Sequence, residues 1–235
     1  MKERIQKLIA NSGLYSRRKA EALIALGQVL VNGKTASLGQ KAEITDVIEV
    51  EGKLINPQTS KVYLMFNKPI GYTCTSAKFR NEINIYSLLP KQYHSLPICG
   101  RLDKDSTGLV FLTNDGELLA KLTHPRYMHE KRYIVKIAAP KELTAHRIIQ
   151  EMKNGIDIGE GDGHVQAKKI KALGKDEFEI SITQGKKRQI RRMFTALGAK
   201  VECLQRIAIS NLELGNLEIG KCRELSKQEI KNLNN

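Results

Sequence analysis

The sequence predicts an α+β fold: a small basic module followed by a larger domain with a mainly antiparallel or mixed sheet and flanking helices. Two observations carry this. Helix-like and strand-like segments interleave, and several strands close on hairpin-type turns rather than on long crossovers. Positive charge is also gathered at the front. Lys2, Arg4, Lys7, Arg17, Arg18, Lys19, Lys34 and Lys41 face only Glu3 and Glu21 before the acids Glu43, Asp46, Glu49 and Glu51 begin. The stretch Asn-Pro-Gln-Thr-Ser at 56–60 reads as a linker, so the expected domains are 1–59 and 60–235.

In the first domain a short helix is expected over 4–11. Ser16 suits the N-cap of a second helix, and Gly27 its end. Arg17, Arg18 and Lys19 crowd the first turn of that helix, where positive charge opposes the helix dipole. A use for that charge outside the helix is therefore expected. Val-Leu-Val-Asn-Gly-Lys (29–34) reads as a strand entering an Asn-Gly turn, and 46–51 as a second strand. In the second domain, strands are expected at 61–67, 109–113, 131–137 and 177–183. Lys68 to Gly71 reads as a turn, and so does Asn114-Asp115-Gly116. Helices are expected at 117–123, 143–152 and 190–197, the last stopped by Gly198.

The bulk numbers bound the function. The chain has 235 residues, 41% of them hydrophobic, enough for a real core and against disorder. Aromatic residues make up 5% and there is no Trp, so the core is expected to be aliphatic. A net charge of +14 points to a polyanion, nucleic acid being the commonest; the alternative is charge for solubility alone. Cys74, Cys99, Cys203 and Cys222 form no metal clamp with one another or with the five histidines. Reduced thiols in a cytoplasmic protein are expected. The first residues carry no secretory signal, and the longest apolar runs are far short of a membrane span. No membrane partner is expected, and a monomer is the default.

The segment GRLDKDSTGLVFLTNDG (100–116) is the first that carries chemistry. It runs from a turn through a polar loop into a buried strand, which puts Asp103 at the mouth of a loop on a rigid scaffold. A calcium loop starting at Asp103 would need a Glu at its twelfth position, where Asn114 stands. The Asp-x-Asp-x-Thr spacing also matches haloacid-dehalogenase-type phosphatases. The preceding Pro97–Arg101 is a poor strand, however, and a second acidic pair is lacking.

The second such segment is QGKKRQIRRMFTALG (184–198). Five of the seven residues from Lys186 to Arg192 are basic. On a helix from Lys187, Ile190, Met193, Phe194 and Leu197 form the core-facing stripe, with Arg188 and Arg192 opposite. Arg191 falls at the edge of the stripe, able to reach a partly buried carboxylate. Lys186, Lys187, Arg188 and Arg192 are left for phosphates.

Two resemblances rest on these residues. The two helices, the triple-basic helix start and the VLVNGK turn resemble the S4 RNA-binding domain over about the first 55 residues. GRLDKDSTGLVFLTNDG, KRYIV and GKKRQIRRM, in that order and together with FNKPIGYTCTS (66–76), resemble the RsuA/RluB/RluE/RluF family of ribosomal RNA pseudouridine synthases across nearly the whole chain. The family resemblance implies that Asp103 is the catalytic aspartate and that Arg191 forms a salt bridge with it. It also implies that Tyr133 packs on the target base and that Ile190 lies behind the pocket. The basic helix start of Arg17, Arg18 and Lys19 is expected to dock RNA through phosphates. Lys68 and Arg101, beside motif residues, are candidates for touching RNA, without a chemical role.

The implied reaction breaks the N-glycosidic bond of a uridine, turns the uracil and rejoins it through carbon five. No cofactor or metal is expected. A carboxylate fits the positive character that develops at the ribose, and a nearby arginine favours its charged form. The base must be flipped from folded RNA at a cost of a few kcal/mol, which phosphate contacts help offset. The expected partner is ribosomal RNA, with a lean toward the large subunit. A non-catalytic RNA-binding assembly factor on the same fold is the alternative, and the phosphatase a remote one.

Overall fold

Ser16 lies in extended backbone and its hydroxyl accepts a hydrogen bond from the Lys19 amide at 3.2 Å. The second helix therefore begins where the capping serine places it. The computed structural model describes residues 2–56, 60–75 and 82–234; Pro57, Gln58 and Thr59 of the expected linker, and Ser76 of the 66–76 segment, lie outside these. The chain divides into two compact units, Met1–Val62 with Pro90–Leu96, and Tyr63–Leu89 with Pro97–Asn235.

The first unit runs β1 (Glu3–Arg4), α1 (Ile5–Asn11), α2 (Arg17–Ala25), β2 (Val29–Val31), β3 (Lys34–Thr35), β4 (Lys41–Ala42), β5 (Ile48–Val50) and β6 (Lys53–Ile55). Four strands form a sheet in the order β3-β2-β5-β6, and β1 pairs with β4. Asn32 and Gly33 have φ of 51° and 77°, the two positive values that a tight two-residue hairpin turn demands. Ile5, Leu8 and Ile9 of α1, Leu23 and Ile24 of α2, and Val29, Ile48 and Val50 of the sheet form one buried cluster. Arg17, Arg18 and Lys19 stay outside it and are exposed.

The second unit is built on β7 (Tyr63–Lys68), β8 (Ile98–Cys99), β9 (Thr107–Thr113), α3 (Gly116–Thr123), β10 (Lys131–Ala138), α4 (Ala145–Asn154), β11 (Ile156–Asp157), β12 (His164–Val165), β13 (Lys169–Ala172), β14 (Glu177–Ile182), α5 (Gln189–Ala196), β15 (Lys200–Ile209), β16 (Leu212–Glu213), β17 (Cys222–Glu224) and α6 (Lys227–Asn234). The main sheet has the order β13-β14-β10-β15-β9-β7-β17, with β8 on β9 and β16 on β15. β9 and β15 run parallel and the other neighbours antiparallel, a mixed sheet.

The residues expected to form an Asn114-Asp115-Gly116 turn do something else. The Asp115 carboxylate accepts from the amides of Glu117 and Leu118 at 3.2 and 3.3 Å and caps α3. Its other oxygen accepts from the Tyr63 hydroxyl at 2.9 Å. That bond and burial, the larger cause, push the Tyr63 phenol up to about 12. α3 and α6 place Leu118, Leu122 and Leu233 against Met65, Leu109 and Phe111. In α5, Phe194 packs on Phe178 of β14 with ring centroids 5.9 Å apart.

Sheet register aligns Tyr133 with Arg206, Arg206 with Gly108, and Gly108 with Lys68, one row across β10, β15, β9 and β7. Gly108 is required in that row. Its φ is +103°, and a Cβ there would lie 2.2 Å from the Arg206 carbonyl oxygen. Gly108→Ala is therefore expected to cost about 3 kcal/mol or more, combining a strained φ with a backbone clash. The urea midpoint measures this, and a change under about 1 kcal/mol would show that the two strands can part without penalty.

Candidate active site

The loop at 100–106 is braced from beneath by three cations whose hydrogen bonds go mostly to backbone oxygens. Arg206 is 1% exposed; its Nε donates to the Leu109 carbonyl at 2.8 Å, and its Nη atoms donate to the carbonyls of Gly100 and Arg101 at 3.2 and 3.4 Å. Lys68 is fully buried and its Nζ donates to the Ser106, Pro69 and Lys104 carbonyls at 2.6, 3.0 and 3.4 Å. Burial pulls its pKa below the ordinary lysine value. Arg191, also buried, donates to the Val201 and Asp105 carbonyls at 3.1 and 2.7 Å and to Ser106 Oγ at 3.5 Å. Carbonyls at 100, 101, 104, 105 and 106 are thus tied on both sides of Asp103. Inside the loop the Ser106 amide donates to the Asp103 carbonyl at 3.1 Å, and the Leu102 amide points at Cys74 Sγ, 3.5 Å away.

On this frame stand two carboxylates with different surroundings. Asp105 is gripped: Arg188 donates to both of its oxygens at 3.0 and 2.9 Å, and Arg191 Nε lies 3.3 Å from Oδ2. Burial raises its pKa, but the two arginines outweigh that and hold the carboxyl below the usual range. Asp103 has no side-chain hydrogen bond among the described residues. Its side chain is 38% exposed, and its Oδ2 lies 4.0 Å from Arg188 Nη1. Both carboxylates are part-exposed, at 38% and 42%, and among the described residues only that of Asp103 keeps its lone pairs unoccupied, with positive charge close by.

The structure corrects four expectations. The ion pair of Arg191 is to Asp105 rather than to Asp103, because the carbonyls of Val201 and Asp105 fix the plane of its guanidinium. α5 begins at Gln189, with Arg188 as its N-cap at φ 53°. Lys187 and Arg188 are thus off the helix, and Arg188 turns to the aspartates instead of standing opposite the apolar stripe. Lys186 and Arg192 are not free for phosphates. Arg192 Nη1 donates to Asp162 at 2.6 Å and its Nε to the Ile158 carbonyl at 2.9 Å, and Lys186 Nζ donates to the Asp162 carbonyl and lies 3.6 Å from its Oδ1. Both tie α5 and its approach to the β11–β12 hairpin. Lys68, a candidate for touching RNA, is wholly interior, whereas Arg101 is exposed.

Ile190 is buried on the stripe with Met193 and Phe194. Tyr133 is 7% exposed and stands two strands from Gly108, roughly 10 Å by strand spacing. Sequence reasoning missed Arg206, Asp105 and the bracing role of Lys68. A lone arginine in the apolar run Leu-Gln-Arg-Ile-Ala-Ile was the signal for Arg206, since a charge among core residues is buried only with partners.

A basic module joined to a domain that presents one carboxylate on a braced loop describes an enzyme that works on nucleic acid. Comparison with known proteins narrows the class. Residues 62–196 match the family described as RNA pseudouridylate synthase, and residues 3–48 match the S4 domain. The chain is 38% identical to the ribosomal large subunit pseudouridine synthase B of Bacillus subtilis, over 98% of this chain and 95% of that protein. It is 37% identical to the dual-specificity RNA pseudouridine synthase RluF of Escherichia coli K12, over 97% and 77%. A crystal structure of a pseudouridylate synthase superposes with a TM-score of 0.71 at 32% identity, covering 98% of this chain and 99% of that one. The chain belongs to the RNA pseudouridylate synthase family and carries an S4 domain at its front. With that, the phosphatase reading of the Asp103–Asp105 spacing falls.

Proposed function

We propose that this protein converts a uridine of ribosomal RNA, in the large subunit, to pseudouridine, and that Asp103 is its catalytic carboxylate. The observation that carries the assignment is the contrast on the loop: the Asp105 carboxylate is consumed by two arginines, whereas the Asp103 side chain, part-exposed like that of Asp105, has no hydrogen bond among the described residues and stands on a backbone tied at five carbonyls. An anion fixed in this way fits the charge that develops at the ribose as the glycosidic bond breaks, and the fixed frame avoids reorganisation during the reaction. Once detached, the uracil turns, bonds to the ribose through carbon five and loses the proton held there. Tyr133 supplies an aromatic face for the base and Ile190 the apolar backing. Arg191 acts on the site through the Asp105 backbone and carboxylate. The 95% coverage of the Bacillus subtilis large-subunit enzyme supports the subunit.

Domain 1–59 is the docking element, through Arg17, Arg18 and Lys19, and domain 60–235 the chemical one, with Lys187 as its phosphate contact. The proposed oligomeric state is a monomer. A ribosomal RNA substrate supports a cytoplasmic location. No helix among the described residues is long and apolar enough to cross a membrane.

The test is tritium release from RNA labelled at carbon five of uridine, with protein-free large- and small-subunit RNA side by side. Release from the large-subunit RNA alone is expected. Release from the small-subunit RNA alone would reassign the substrate, and no release from either RNA or from assembly particles would overturn the reading. A second result is expected from Arg17→Ala and Lys19→Ala. Each should weaken RNA binding and flatten the log–log salt dependence by up to about one unit per lost phosphate contact. Titrations at several salt concentrations measure this, and an unchanged slope would move the docking face elsewhere.

A further inference from the structure

Arg188 stands at the mouth of the site with a hold that depends on one partner. Its hydrogen bonds among the described residues both go to Asp105, at 3.0 and 2.9 Å, and no backbone carbonyl anchors its guanidinium. Arg191, by contrast, is pinned by two backbone carbonyls, those of Val201 and Asp105, whatever the Asp105 carboxylate does. The next carboxylate within reach of Arg188 is Asp103, whose Oδ2 is already 4.0 Å from Nη1. A guanidinium fork matches a carboxylate at two points, and a half-exposed arginine that loses one such partner takes the next.

We propose that Asp105 is a positioning residue whose task is to hold Arg188 off Asp103. The inference rests on Asp103 being the catalytic carboxylate. Whether Asp103 attacks the ribose or stabilises it as a charge, one oxygen must face the anomeric carbon without a competing fork. Arg188 held on Asp105 contributes its charge at about 4 Å without occupying those lone pairs. Without Asp105 the fork closes on Asp103, and the carboxylate is blocked by the residue that had assisted it. The backbone of Arg188 is left-handed, φ 53° at the helix N-cap, and its guanidinium lies within 4.0 Å of both aspartates.

The experiment is steady-state and single-turnover kinetics of Asp105→Asn, alone and combined with Arg188→Gln, in the full-length protein on the RNA that the wild type modifies. Asp105→Asn should lower kcat by about 10- to 100-fold, the scale on which a misplaced group at a site costs rate. KM should stay within about threefold, since no phosphate contact is lost. Adding Arg188→Gln should recover at least about fivefold of the lost kcat, because the blocking fork is gone. A purely structural role for Asp105 would move KM and thermal stability together with kcat and would gain nothing from the second substitution. Unchanged kcat in Asp105→Asn, or no recovery in the double variant, overturns the proposal. Asp105 has a 42% exposed side chain, so folding should survive. If it does not, Asp105→Glu keeps the charge one methylene further out; a fall in kcat of about threefold at constant KM supports the proposal, and a rise in KM alone overturns it. Asp103→Asn run in parallel separates the two readings. If Asp103→Asn is active, both fail; if it is inactive while Asp105→Asn behaves as wild type, only this one does.

Discussion

Asp103→Asn is expected to abolish turnover, by about a thousandfold or more, while RNA affinity stays within about threefold of wild type. Asparagine is nearly the same size as aspartate, and the Asp103 side chain has no hydrogen bond to lose among the described residues. The backbone ties at Gly100, Arg101, Lys104, Asp105 and Ser106 belong to neighbours and persist. The substitution therefore removes a charge and little else, and the loss in rate reads as the worth of that charge in the transition state. Affinity is spared because it comes from phosphate contacts spread over the basic surface. Tritium release and filter binding on the same preparation measure the two quantities. Wild-type release from the variant would show that the exposed carboxylate is not the chemical group. Parallel loss of affinity would make it a docking group instead.

The second large effect is expected on stability. Arg206→Met keeps a long side chain but strips the donors from three carbonyls, those of Leu109, Gly100 and Arg101. The guanidinium is 1% exposed, so water cannot replace it without opening the sheet. A hydrogen bond to a charged donor is worth about 1.5–3 kcal/mol, and a buried acceptor left bare costs about 1–3 kcal/mol. Allowing for methionine's apolar gain and for partial relaxation, the net loss should be about 3–5 kcal/mol, a large share of a typical domain's 5–15 kcal/mol. Urea unfolding gives the number. At temperatures where the variant remains folded, its turnover should also fall, since the loop bearing Asp103 has lost its anchors at 100 and 101. A shift below about 1 kcal/mol would show that the bridge carries no load.

Much of the scaffold was legible because it is locally determined. The Ser16 cap, the Gly27 stop, the Asn32-Gly33 turn and the apolar stripe of α5 each depend on residues within a few positions of one another, and each stands where the sequence places it. β15 was not legible. Glu202, Gln205 and Arg206 break its apolar alternation, and a buried arginine looks like a surface residue until its partners, about a hundred positions away, are known. Asp115 misled for another reason: Asn, Asp and Gly serve both turns and helix caps, and the residues downstream of them decide between the two. At the site, the loop that carries Asp103 was legible from its motif. The division of labour between two aspartates and two arginines was not, because it is set by two carbonyls, Asp105's own and Val201's, that orient Arg191.

The row Tyr133, Arg206, Gly108, Lys68 has a consequence in time. β9 gains its parallel neighbour only when β15 has been made, and the arginine that ties Gly100 and Arg101 is encoded about a hundred residues after them. At ribosomal speeds of about 5–20 residues per second, the nascent loop waits some 5–20 s for its brace. During that interval β7 and β9 can pair as neighbours and Lys68 can tie the Lys104 and Ser106 carbonyls, yet β9 presents an open edge and the loop lacks its ties at Gly100 and Arg101. The last of the three braces thus arrives late, when Arg206 emerges and closes the sheet. The half-made chain can hold RNA through its first unit well before it can act on it.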